Sequence, residues 1–242
     1  MAEPRRWDGS LFGGPIHGPL PILLVTLTFT TGIVDAVSVL GLGRVFVANM
    51  TGNVVFLGFA LAGAPGFALL GSLAALAGFL GGALAGGRVI RLVGGDRRRV
   101  LLTAVAVAAV LQAGAIGVLL AVPAGTVAAA AVSALLAVGL GLQNSVVRHV
   151  AVPDLTTTVL TMTLTGIASD LHDPGRGTLF RRVLAVLTML AGAALGALLV
   201  NRAGLIWPLA VVLALQLGIG VVLLAQGRNA PWVTPRDGAA RR

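Results

Sequence analysis

Apolar residues run through this chain in blocks of about the length that crosses a lipid bilayer, and polar residues gather between the blocks. A helix needs roughly 20 apolar residues to span the hydrocarbon core. Six blocks reach or approach that length: 21–43, 66–87, 100–122, 126–147, 183–200 and 205–225. Two further stretches, 45–63 and 155–169, are shorter and carry Thr, Asn and Gly. The pattern predicts an all-α transmembrane fold. Residues 1–19 form an irregular N-terminus, 20–122 and 126–226 form two membrane repeats, and 227–242 form a mobile polar tail. No cleavage-type signal follows Arg5 and Arg6, so the first span reads as an uncleaved anchor.

Arginine placement decides how many blocks cross. All 17 basic residues are Arg. If all eight blocks cross, the Arg residues divide almost evenly between the two sides, and orientation is unspecified. If the two short stretches enter and leave on the same side, 15 of the 17 fall on one side, with only Arg44 and Arg202 on the other. Cytoplasmic loops carry the excess of Lys and Arg. The expectation is six spanning helices plus two short re-entrant or broken segments, with both termini cytoplasmic.

The two halves resemble each other. Gly32-Ile-Val-Asp35 matches Gly141-Leu-Gln-Asn144, and Ala48-Asn-Met-Thr51 matches Thr158-Val-Leu-Thr161. Gly82 and Gly86 match Gly192 and Gly196, and Leu111-Gln-Ala-Gly114 matches Leu215-Gln-Leu-Gly218. The order is conserved between the halves and the spacing nearly so. Three spans per half is an odd number, so the second half enters the membrane upside down. Inverted repeats recur in secondary transporters, with the solute site near the midplane between the halves.

Composition closes off other classes. The chain is 57% hydrophobic and 10% charged, against about 25% charged in a soluble domain. The net charge of +9 sits in Arg clusters between apolar runs, which points to anionic lipid headgroups and not to nucleic acid. Without Cys, disulfides and thiolate metal sites are excluded. His17, His149 and His172 form no metal-ligand spacing, and no cofactor is expected. Asp154 reads as a helix N-cap, and Asp170, His172 and Asp173 read as a loop. No nucleophile elbow, phosphate loop or dinucleotide fingerprint occurs, so no enzyme is expected.

Asp35 is the one ionisable side chain inside the apolar blocks. A charge at that depth is costly and marks a functional site or a locally satisfied group. Thr28, Thr31 and Gly32 share its helix face. It reads either as a coupling or substrate group, or as an Asp satisfied by Thr hydroxyls or Arg44. Asn49, Thr51, Gly52 and Asn53 form the densest polar cluster at presumed depth; in the second half Asn144 is the counterpart of Asp35, and Thr158 and Thr161 match Ala48 and Thr51. These eight residues, Asp35 included, are the candidate substrate path. Gly78, Gly82, Gly86, Gly192 and Gly196 form small-residue stripes that let helices approach, and Gln112 and Gln216 read as interhelical glue. Such stripes suit internal packing and a homodimer equally well.

Residues Gly32 to Val37 and Val45 to Asn53 resemble the N-terminal signature of the YoaK family of bacterial integral membrane proteins (domain of unknown function 1275). Gly141-Leu-Gln-Asn144 and Thr157 to Thr161 resemble its second signature, with Met162 where the family usually has Gly. The resemblance covers about residues 20–226. It implies a six-helix protein of the bacterial inner membrane, of a kind sometimes described as a small-molecule permease. Two functions remain open at this point: a permease or channel for an unknown small solute, and a non-transporting membrane scaffold or accessory subunit.

Overall fold

A computed structural model of the chain describes residues 17–150, 152, 160–169, 176–227 and 230–233. Thr158, Asp154 and most of the N-terminus and tail lie outside them. Eight helices occur among the described residues: α1 (Leu20–Gly41), α2 (Met50–Leu61), α3 (Leu69–Val93), α4 (Arg97–Ala121), α5 (Thr126–Val150), α6 (Leu160–Ser169), α7 (Arg176–Ala203) and α8 (Ile206–Ala225). Six are long and apolar enough to cross a membrane. The other two, α2 with 12 residues and α6 with 10, would each reach only about 15–18 Å.

Two helices outrun by the widest margin the apolar blocks that predict them. α3 continues through Arg88 and Arg91 to Val93, and α7 starts at Arg176 rather than near 183. Arg stems lie along apolar surface while their heads reach water, so Arg need not end a membrane helix.

The bundle has two ends. At one, Leu20, Leu23 and Leu24 of α1 pack with Val100 and Leu101 of α4, Val146 and Val150 of α5 and Leu223 of α8. Residues just before α1 and just after α8 meet here, because Gly18 lies against the ring of Trp232. Both flanks of the membrane region therefore emerge at this near end, as an even number of crossings requires. Arg98 ties the end together by donating to the carbonyls of Leu223 and Leu224 at the close of α8. At the far end, Val37 of α1 and Leu42 just after it pack with Ala115 of α4, Val132 of α5 and Leu209 of α8. α1 and α4 thus run from the near end to the far end, and α5 and α8 run back.

The helices pair across the halves. α1 packs mainly on α7, and α5 packs mainly on α3. α4 and α8 pack on each other. Lipid tails are as apolar as Leu, so close backbone contact must supply what the hydrophobic effect supplies in water. Glycines provide it. A Cβ on Gly32 or Gly192 would collide with backbone of the facing helix, at Met189 and Phe29 respectively. A Cβ on Gly141 or Gly82 would do the same at Phe79 and Val138. The second pair repeats the first at the offset that relates the two halves of the sequence. With equivalent helices running in opposite directions, this is the arrangement an inverted duplication requires.

The segment containing α2 returns to the end it leaves. A Cβ on Gly43, before α2, would lie 3.2 Å from the Cβ of Ala68 after it. A Cβ on Gly66 would lie 3.2 Å from Nη1 of Arg44. Both sides of the 42–68 excursion thus sit at the far end, beside the start of α3.

Candidate functional site

The excursion is held inward by Asp35. Its Oδ1 accepts from the backbone N–H of Val47 at 3.3 Å and of Ala48 at 3.2 Å. Asn53 grips the neighbouring residue from the other side. Its Oδ1 accepts from Phe46 N at 2.8 Å, and its Nδ2 donates to the Phe46 carbonyl. The three residues 46–48, which belong to no helix, thus have their buried N–H groups satisfied by two side chains. Backbone outside a helix is tolerated at membrane depth only when it is satisfied and shielded like this. Asn49 caps α2 through a bond from Gly52 N to its Oδ1 at 3.4 Å, and Gly52 sits against the ring of Phe46. Phe46, Phe56, Phe59 and Phe67 stack around the outside of the excursion.

Asp35 is therefore satisfied, though by neither partner its sequence neighbours offer. The hydroxyls of Thr28 and Thr31 donate to the carbonyls of Leu24 and Leu27 on their own helix. Arg44 adopts a left-handed backbone (φ 57°) and lies by Gly66. Of the candidate path residues, the fold gathers Asp35, Asn49, Gly52 and Asn53 around the 46–49 backbone. Thr51 and Thr161 are exposed, on α2 and α6, and Asn144 is half-buried on α5.

A second polar feature lies at mid-depth. Between the near and far apolar cores, Thr30 of α1, Gln112 of α4, Gln143 of α5 and Gln216 of α8 surround a void of about 10 Å³. Thr30 and Gln216 are each about 15 Å from either end of their helices. All four side chains are buried. Gln112 Nε2 donates to the Leu209 carbonyl at 3.1 Å, which joins α4 to α8. Among the described residues, Gln143 Nε2 and Gln216 Oε1 have no hydrogen-bond partner. A donor and an acceptor thus line the same void without reaching each other. Gln112 and Gln216 are equivalent by the internal repeat, so the structure brings matching residues of the two halves to one place. Sequence reading passes over Gln143. The available signal was its place in Gly141-Leu-Gln-Asn144, one residue from Asn144 and so on another face of α5.

A third feature is open. At the far end, Leu42 and Gly43, Ala68 and Gly71, Leu119, Ala129 and Leu205 help line a mainly apolar vestibule of about 330 Å³. The small residues at the starts of α3 and α5 leave this space.

The glycine stripes lie where helices touch. Gly78, Gly82 and Gly86 of α3 face Ala134, Val138 and Leu142 of α5, and Gly192 and Gly196 of α7 face Phe29 and Ile33 of α1. Ser145 adds a bond from α5 to the Ala83 carbonyl on α3 at 2.9 Å.

Six apolar spans, exchanged across two halves and enclosing a polar layer, define a polytopic membrane protein. The chain belongs to a family described as protein of unknown function (DUF1275), which matches residues 23–222. It is similar to the UPF0700 transmembrane protein YoaK of Bacillus subtilis (strain 168), with 33% identity over 151 residues. That alignment covers 62% of this chain and 66% of the relative. No solved structure matches the chain.

Proposed function

We propose that this protein is a permease or channel for a small solute in the bacterial plasma membrane, with its path between two inverted halves. The observation that carries the reading is the midplane layer: four polar side chains from four helices, two of them with unpartnered amide atoms. An unmet buried polar atom costs about 1–3 kcal/mol. A bundle built only to hold itself together would gain by replacing those amides with Leu. In transporters of inverted-repeat design, the solute site occupies this position. The vestibule lies at the far end, and at the near end Trp232 packs against Gly18. The near end carries the exposed Arg88, Arg91 and Arg99, which supports reading it as the cytoplasmic side, facing anionic headgroups.

A second reading, a membrane scaffold without a solute path, draws on a specific observation. Asp35 and Asn53, the most conspicuous polar residues, are engaged with backbone and line neither cavity. Their proposed part in the path is to hold the excursion in place beside the vestibule.

Purified protein in lipid vesicles separates the two readings. The permease reading predicts flux of at least one small solute above protein-free vesicles, and it predicts that Ala129→Trp, which fills the vestibule, slows that flux without lowering the thermal midpoint in micelles. Absence of flux across a panel of small neutral and charged solutes would support the scaffold.

A further inference from the structure

We infer that the midplane void holds a single uncharged, water-sized molecule that both accepts and donates a hydrogen bond, and that it admits such molecules in preference to ions. The inference rests on the permease reading and names its class of solute.

Three observations lead there. The first is complementarity. Gln143 has an unpaired N–H and Gln216 an unpaired carbonyl oxygen, and both residues line the same void. A molecule with one lone pair and one polar hydrogen answers both at once. The Thr30 hydroxyl, which donates to the Leu27 carbonyl at 2.9 Å, keeps a lone pair for a second donor. The second is size. A void of about 10 Å³ takes roughly one water-sized particle and nothing larger without helix movement. The third is charge. Among the described residues, no ionisable side chain lines the void, and Asp35, close by on α1, accepts from Val47 and Ala48. An ion entering would lose its hydration shell for a few amide dipoles, and isolated charges in a low-dielectric interior are very costly. A neutral molecule gives up only hydrogen bonds that the glutamines replace.

Water and ammonia share this chemistry. Both fit the void, and both accept and donate. Vesicles carrying the full chain distinguish them: shrinkage in an impermeant osmolyte reports water, and the internal pH rise after an ammonium salt gradient reports ammonia. Potassium and chloride flux reports the ions. The inference predicts passage of water, ammonia or both above protein-free vesicles, no ion flux, and about a tenfold loss of the neutral flux in Gln143→Leu or Gln216→Leu, the equivalent of one hydrogen bond. The variants should fold, since Leu removes an unmet polar atom. Ion flux, or neutral flux untouched by both variants, would overturn the inference and leave the permease reading standing. No flux of any solute in the wider panel would end the permease reading and the selectivity with it. Electron cryomicroscopy at a resolution that shows ordered waters gives an independent readout. Density between Gln143 and Gln216 in the unaltered protein, absent in Gln216→Leu, is expected, and a dry void would refute the inference whatever the fluxes.

Discussion

Gly82→Val and Gly192→Val each destabilise the bundle by about 3 kcal/mol or more, while Gly81→Val and Gly218→Val leave it nearly unchanged. The physical reason is local. A Cβ at Gly82 meets the backbone of Val138, and a Cβ at Gly192 meets that of Phe29. Backbone cannot swing aside as a side chain can, so α3 must part from α5, or α1 from α7. Membrane helices have no water to drive them back together, and the lost contact is lost outright. At Gly81 and Gly218 an added Cβ meets nothing within 4 Å. Because the two contacts are equivalent under the repeat, the two damaging variants should fail to similar degrees. Thermal unfolding in detergent micelles checks the whole set. A mild effect at Gly82 with a severe one at Gly192 would show that the halves are not held by matching contacts.

The second large effect is at Asp35. Asp35→Leu leaves the N–H groups of Val47 and Ala48 without an acceptor, at about 1–3 kcal/mol for each buried group. The excursion should come loose, and protease cleavage between Gly43 and Ala68 should rise. Asp35→Asn keeps an oxygen in the same place and should preserve the fold. It therefore isolates the charge. If Asp35 acts by holding the backbone, the Asn variant retains most of the solute flux. If the charge itself couples transport to a cation, the Asn variant folds but loses flux.

Much of the architecture was legible because lipid imposes it. Helix length follows from bilayer thickness, so the six spans could be read from hydropathy alone, and the Arg distribution favoured six crossings over eight. Helix ends were less legible. α7 begins at Arg176 because Arg is compatible with the terminal turns of a membrane helix, which hydropathy does not register.

The candidate site was legible only in part. Asp35 stands out as a charge among apolar residues, but its partners are backbone N–H groups twelve and thirteen positions away, and every residue except Pro has one. Gln112 and Gln216 were visible as repeat equivalents, yet glue was the natural reading, and Gln112 does bond to α8. Their convergence with Gln143 on one void depends on how four helices cross, which no local pattern encodes. Aligning Asp35 with Asn144 draws attention to Asn144, whereas its neighbour Gln143 is the residue that lines the void.

A fold built of two inverted halves requires the 42–68 excursion to enter and leave at one end of the bundle. The chain has no Cys, so Arg44→Cys and Gly63→Cys each introduce the only thiol, and a membrane-impermeant thiol reagent can report its side in intact cells and in inverted vesicles. Labelling of both from the cell exterior is the predicted result. Labelling from opposite faces would mean that α2 crosses the membrane, and the exchange of helices between two inverted halves could not then hold.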